Sequence, residues 1–424
     1  MAQYIKTDNC YKKIPLHWQI LIAIVFGCAY GYVFPDQVGY VSWMGDMFIQ
    51  LLKMVVIPLI FCSLVAAITG IRGNKMGRLA GKTIGLYFFT TLLAVLIGLL
   101  LVNLIRPGAG INISDEAGMA SQSVQPRTLS ETLWSIVPEN IFAALADGNM
   151  LPIVIFAVFF GIFLAKTRWD MDEGTHSLSV ETLIRCFEGG FEVMMKMTVF
   201  ILMFAPLGVF GIIAKNIALF GGESGAFAQL GQGLGLHVLT VFSALAIHMV
   251  VILSLCLWLL GGCNPWKHLS NMSAVILTAF STASSNGTLP LTLRDTTEKS
   301  GVSPGVARFV LPLGATVNMN GTALYECAVV LFVAQAYGIE LTLYQQFITV
   351  LMVLLTTLGV AGVPMASLVM IVIVLSVIGL PPEGIGLVIA VDRPLDMCRT
   401  VVNVYGDTCC AVIIAQSEGE TLAI

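Results

Sequence analysis

Five polar residues recur inside one long apolar stretch near the end of the chain: Asp396, Arg399, Thr400, Asn403 and Asp407, within VDRPLDMCRTVVNVYGD at 391–407. They are spaced 3, 1, 3 and 4 apart, so a helix would gather them on one stripe. In apolar surroundings a guanidinium can hold a carboxylate in a bidentate fork, and a nearby acid can hold an ammonium group. Carboxylate and amide oxygens suit a small hard cation such as sodium. The structural alternative is a buried ion pair between Asp396 and Arg399, with Asp407 near a wet helix end. Ionisable groups at bilayer depth are costly unless they face a bundle interior or a cavity, which makes the stripe a candidate functional site.

The elements that must hold this stripe are membrane spans. Of 424 residues, 57% are apolar and only 11% charged, and mean hydropathy is +0.90. Soluble domains carry about 25% charged residues, so the composition describes a polytopic membrane protein. The net charge of -4 gives no sign of a nucleic-acid partner. Most of the ten cysteines (Cys28, Cys62, Cys256, Cys327, Cys398, Cys409 and Cys410 among them) lie in apolar runs and read as free thiols, with no CxxC metal spacing. The basic start followed by an apolar run reads as a retained first span rather than a signal peptide.

Spans are expected over about 16–34, 41–70 (broken by Lys53 and Pro58), 83–105, 141–165 (with an internal break at ADGNMLP), 182–213 and 233–260. Lys6, Lys12 and Lys13, and the loop with Arg72, Lys75, Arg78 and Lys82, place the N-terminus and that loop in the cytoplasm. Then the pattern changes. Residues 274–293 are too short and polar for an ordinary span, with STASSNGTLP in the middle, and read as a re-entrant hairpin. A span at 306–337 is interrupted at NMNGT, and 347–380 reads as two half-length arms around AGVPMAS. The second half thus reads as a hairpin followed by a broken span, twice. Such paired, interrupted segments point to a transporter's binding site.

Hairpin tips would aim half-helix N-termini, with Ser284, Ser285, Asn286 and Thr288, at a carboxylate. With Arg399 for a second carboxylate and Asp396 for an ammonium, the sites have the shape of an acidic amino acid. Asn318, Asn403 and Asp407, with main-chain carbonyls near Gly314, supply all-oxygen cation ligands.

STASSNGTLP, LPLGATVNMNGTALYE, AGVP and DMCRTVVNVYGD resemble the dicarboxylate/amino acid:cation symporter family, which includes archaeal aspartate transporters and excitatory amino acid transporters. The likeness runs over nearly the whole chain. It implies an all-α membrane protein of eight transmembrane helices and two re-entrant hairpins built as inverted repeats. It also implies a homotrimer in the lipid of the cell membrane, a bacterial inner membrane by the short loops, working as an elevator. Residues 1–82 and 107–225 would form a scaffold, and 83–106 and 226–424 a moving transport domain. Substrate, glutamate or aspartate, would contact Ser284, Ser285, Met319, Thr322, Gly362, Val363, Asp396, Arg399, Thr400 and Asn403. One sodium site would use Gly314, Asn318, Asn403 and Asp407. A second would use Thr316 with carbonyls at Thr357, Leu358 and Val360, and a third Thr90, Thr91, Asn318 and Asn320.

Three departures stand out. Asn320 replaces the Asp of the usual NMDGT motif, which removes a charge from the third cation site. Glu326 stands where many prokaryotic members have Gln, and in animal members it is linked to proton and potassium coupling. Ala283 and Met397 lack the extra arginine carried at one or the other position, which predicts a less basic substrate environment. The rival within transport is a proton-coupled glutamate or C4-dicarboxylate symporter. The enzyme rival, an intramembrane protease built on Gly222-Glu223-Ser224-Gly225 with His237 or His248, lacks a base positioned by spacing, so no enzyme is expected.

Overall fold

The computed structural model describes residues 16–69, 77–111, 139–147, 150–170, 177–219, 226–357 and 367–424, and every regular element among them is helical. Apolar runs of this length leave the backbone no other way to pair its polar groups away from water. The first half gives α1 (Leu16–Val33), α2 (Gly39–Thr69), α3 (Gly77–Ile105), α4 (Ile141–Asp147), α5 (Met150–Asp170), α6 (Ser177–Leu202) and α7 (Ala205–Leu219). α2 packs against α5, α6 and α7, and α1 lies along α7. α3 leaves this group and packs on helices of the second half.

The second half begins with α8 (Ala226–Ile247), which passes through a π-helical turn (His248–Leu253) into α9 (Ser254–Gly261). A short α10 (Pro265–Asn271) leads to a hairpin of α11 (Ser273–Thr282) and α12 (Ser285–Glu298). A broken helix follows, α13 (Pro304–Val317) and α14 (Asn320–Ala336), then a second hairpin, α15 (Leu343–Thr357) and α16 (Ser367–Ile378). The last helix is α17 (Ile385–Ser417). Among the described residues, four stretches are long and apolar enough to cross a membrane: Leu79–Ile105, Gln229–Gly261, Pro304–Ala336 and Pro382–Ser417.

The first hairpin turns at Ala283, whose φ of 47° is left-handed and ends α11. Ser284 is extended, and its Oγ accepts from Gly287 N at 3.1 Å, capping α12. The break between α13 and α14 falls at Asn318 and Met319, as NMNGT implied. The tip of the second hairpin, 358–366, lies outside the described residues, and with it AGVP, Leu358, Val360, Gly362 and Val363.

Three expectations fail. α2 runs unbroken through Lys53 and Pro58, and α17 runs unbroken through Pro394, so the second repeat ends in a continuous helix. A proline removes one N–H, which a bundle helix can lose without parting. The stretch 182–213, expected as one span, is two helices that separate at Met203 and Phe204. Pro206 at the second position of α7 explains that start, since no partner is needed for an N–H there.

α14 and α17 are the centre of the molecule. Every residue of α14 except Gln335 is buried, and α17 is buried without interruption from Arg399 to Ala415. At one end of the bundle Lys82 Nζ meets Glu418 at 2.6 Å and Ser303 N donates to Glu420 at 2.9 Å. The starts of α3 and α13 therefore lie beside the end of α17.

α2 and α7 approach through glycine: a Cβ at Gly211 would lie 2.7 Å from Gly45 N and from Val41 O. Close backbone contact of this kind is how helices in lipid gain dispersion energy. Gly211→Val is expected to force the helices apart at a cost of about 1–3 kcal/mol, read as a lower midpoint of thermal unfolding in detergent. Gly189→Ala, where a Cβ meets nothing within 4 Å, should leave that midpoint unchanged.

Candidate functional site

Arg399 is 1% exposed and is the largest fully enclosed side chain among the described residues. Its Nη1 donates to Asp392 Oδ1 at 2.9 Å, and its Nε donates to Asp396 Oδ1 at 2.9 Å. Nη2 lies 2.9 Å from the same Asp396 oxygen but makes no aligned hydrogen bond. The guanidinium carbon sits 4.4 Å from the centre of the Tyr325 ring, a cation–π contact that steers it without using a donor. Asp396 also meets Arg393 at 3.4 Å.

α14 starts against this cluster. A Cβ at Gly321 would fall 2.5 Å from Arg399 O, so only glycine lets the two backbones touch there. Met319, the residue before α14, offers no side-chain cap. Asn403 on α17 supplies one: its Oδ1 accepts from Gly321 N at 2.7 Å and Thr322 N at 3.3 Å, and its Nδ2 donates to Thr322 Oγ1 at 2.9 Å. The interruption in the apolar core is thereby satisfied across helices. Thr400 Oγ1 bonds back to Asp396 O at 2.7 Å.

One turn further along α17, Asp407 Oδ1 accepts from Asn318 Nδ2 at 2.9 Å. A Cβ at Gly314 would lie 2.5 Å from that carboxylate oxygen, so only glycine lets the α13 backbone cradle it this closely. Among the described residues no Lys, Arg or His pairs with Asp407, and it is 3% exposed. A buried carboxylate with one neutral donor fits a cation ligand. Asn403 offers this cradle no free side-chain oxygen, because that oxygen is spent on α14. Thr90 Oγ1 donates to Asn318 Oδ1 at 3.3 Å and Thr91 Oγ1 to Asn320 Oδ1 at 2.7 Å. Thr316 bonds to Leu313 O at 3.0 Å and Thr357 to Val353 O at 2.8 Å, with the rest of their proposed site in 358–366.

Glu326, 0% exposed, accepts from Thr356 Oγ1 at 3.3 Å through Oε2, while Oε1 has no partner. It joins α14 to the first arm of the second hairpin. Ser284 and Ser285 sit at the start of α12, and α11 and α12 both pack on α17.

Asp392, Arg393 and Tyr325 were not singled out in the sequence. Asp392 could have been, since it extends the same stripe back by four residues. Arg393, one residue beyond Asp392, places a second guanidinium 3.4 Å from Asp396. Asp396 was expected to await an ammonium group, and in this structure both arginines hold it.

A buried guanidinium flanked by acids lies at a helix break, with a buried carboxylate two turns further along the same helix. The family model for the Sodium:dicarboxylate symporter family matches residues 16–417. The chain belongs to that family. It is 35% identical to a proton/sodium-glutamate symport protein of Bacillus caldotenax, over 96% of both chains. It is 35% identical to a proton/glutamate-aspartate symporter of Escherichia coli, over 96% of this chain and 93% of that one. It is 31% identical to excitatory amino acid transporter 3 of Mus musculus, over 92% of this chain and 84% of that one. The symporter is a multi-pass membrane protein and not an enzyme. His237 and His248 are buried in the bundle, with His237 4.4 Å from the Phe332 ring, and Gly222–Gly225 lies outside the described residues.

Arg399 and Asp392 are strongly coupled by this geometry. Asp392→Leu and Arg399→Leu should each destabilise the folded protein by about 3–5 kcal/mol by stranding a buried charge. The double variant should lose at least about 1 kcal/mol less than the sum of the two. Unfolding in detergent measures this, and strictly additive losses would show that the pair is not coupled.

Proposed function

We propose that this symporter carries acidic amino acids, L-glutamate and/or L-aspartate, together with sodium ions. The Arg399 cluster supports this most. Nη2 has a spare donor direction, so a substrate side-chain carboxylate can take the fork now shared with Asp396. Asp396, released, then faces the substrate ammonium. The N-terminus of α12 at Ser284 and Ser285, with Met319 and Thr322 at the break and Gly362 and Val363 in the second hairpin, receives the other carboxylate. Thr400 and Asn403 line the same stripe.

Charge explains the need for ions. Glu326, Asp392, Asp396 and Asp407 are buried along α14 and α17 with Arg399 as the one fully buried cation among the described residues. An acidic amino acid adds a further negative charge to a chamber that is already negative. Binding is favourable only if cations enter with it. The Gly314, Asn318 and Asp407 cradle takes one, with main-chain oxygen from Asn403, and Thr316 with the carbonyls at Thr357, Leu358 and Val360 takes another. Glu326, facing the second hairpin through Thr356, is the group to exchange a proton or potassium on the return step.

In this reading α3 and the helices from α8 onward move as one body against a scaffold of α1, α2 and α4–α7, as an elevator within a homotrimer. The N-terminus faces the cytoplasm of a bacterial cell membrane. A second reading, proton-coupled transport of glutamate or of C4-dicarboxylates, is favoured by two observations. Glu326 is a buried acid with no ion pair at contact distance among the described residues, and Asp396 is already engaged without any ammonium group.

Reconstituted into vesicles, the protein should concentrate radiolabelled glutamate or aspartate under an inward sodium gradient. Uptake that ignores sodium and follows a proton gradient, or that accepts succinate equally, selects the second reading. Arg399→Cys should lose acidic substrates by at least a hundredfold in affinity, and near-normal aspartate affinity would remove Arg399 from the site. Glu326→Gln should keep exchange of internal for external substrate while slowing net uptake; equal net rates would remove it from coupling.

A further inference from the structure

The third sodium site implied by the family does not fit the residues this chain brings to it. Thr90, Thr91, Asn318 and Asn320 do converge, but the Asn320 oxygen is engaged by Thr91 and the Thr90 hydroxyl turns back to its own helix. Thr91 donates to Asn320 Oδ1 at 2.7 Å, while the single Thr90 hydroxyl proton is shared among Leu86 O at 3.0 Å, Tyr87 O at 3.2 Å and Asn318 Oδ1 at 3.3 Å. Asn320 Nδ2 is buried and has no hydrogen-bond partner. It faces the seam between α14 and α17, where a Cβ on Gly406 would lie 2.9 Å from it and 3.5 Å from Asn318 Nδ2.

Two amide nitrogens therefore face this seam, and both are donors. A cation needs lone pairs aimed at it, and amide N–H groups present the positive end of their dipole. Turning the Asn320 amide over would free its oxygen but bring no charge. A carboxylate about 4 Å from a monovalent ion, at an effective dielectric near 20, contributes about a thousandfold in affinity, and this position has none. What suits an orphan donor in a small polar niche is a single acceptor such as water.

We propose that this pocket takes no coupled cation: the Asn320 amide closes it, and each substrate travels with one cation fewer than the same chain would carry with a carboxylate at position 320. The count of ions rests on the sodium-coupled reading above, but closure of the pocket does not. Thr90, Thr91 and Asn318 then serve to hold Asn320 and to present Asn318 Nδ2 to Asp407. The negative charge that the pocket lacks is found on the same helix at Glu326, six residues on, where it can be met by a proton.

Thermal unfolding of the purified full chain, without substrate, tests this when sodium replaces choline at constant ionic strength. The slope of stabilisation against the logarithm of sodium concentration counts ions held only by the folded state. Asn320→Ala is expected to keep the wild-type slope, and Asn320→Asp to steepen it by one ion. The ratio of tracer sodium to substrate taken up by vesicles should rise by one in Asn320→Asp alone. A shallower slope in Asn320→Ala would make Asn320 a ligand and overturn the proposal, as would an unchanged slope in a folded Asn320→Asp. Should Asn320→Asp fail to fold, the Asn320→Ala slope decides. A wild type indifferent to sodium whose Asn320→Asp variant responds to it would retain this proposal and sink sodium coupling. Indifference in both would overturn the two together.

Discussion

A guanidinium shut inside a helical bundle with two carboxylates and an aromatic ring is the interaction on which the rest of this structure depends. Arg399 could not remain there alone. Several kcal/mol of lost hydration must be offset by close ion pairs and by further hydrogen bonds. Asp392, Asp396 and Tyr325 supply that compensation at 2.9 Å, 2.9 Å and 4.4 Å. The compensation leaves the chamber with more acid than base. In the proposed function, a solute that brings a carboxylate replaces Asp396 at the guanidinium, and its own ammonium then meets the acid it displaced.

The surrounding helices hold this cluster in place. α14 must begin at the level of Arg399, so its first N–H groups need partners in an apolar core, and Asn403 provides them. Gly321 lets the backbones of α14 and α17 touch, which fixes the height of the break relative to the guanidinium. Gly314 lets the backbone of α13 lie against Asp407. The hydrogen bond from Thr356 to Glu326 connects the second hairpin to α14 immediately after Tyr325, the residue that lies over Arg399. A shift of that hairpin would thus be felt at the ring that orients the guanidinium.

Much of this was legible in the sequence because lipid-like surroundings make exceptions conspicuous. A charged stripe in an apolar run, and serine, asparagine and glycine where a span should be, gave the last helix, the first hairpin and the break at Asn318 nearly to the residue. Proline was the least reliable sign. Pro58 and Pro394 sit inside unbroken helices because a single missing N–H is tolerable, whereas Pro206 does mark a start. Asp392 and Arg393 escaped because an acid–base pair near a helix end reads as interfacial. Only the 2.9 Å bond from Arg399 to Asp392 shows that the ion cluster extends that far. The orphan nitrogen of Asn320 could not be read from sequence at all, since it depends on which side of the amide Thr91 engages.

Equilibrium binding of glutamate or aspartate to the purified protein, in sodium and in choline at one ionic strength and several pH values, bears most directly on the claim that the chamber is too negative to take an acidic solute unaided. The account predicts that affinity climbs at least tenfold for each tenfold rise in sodium, and that choline supports binding only where protons take sodium's place. Affinity that is equal in sodium and choline and flat with pH would contradict it.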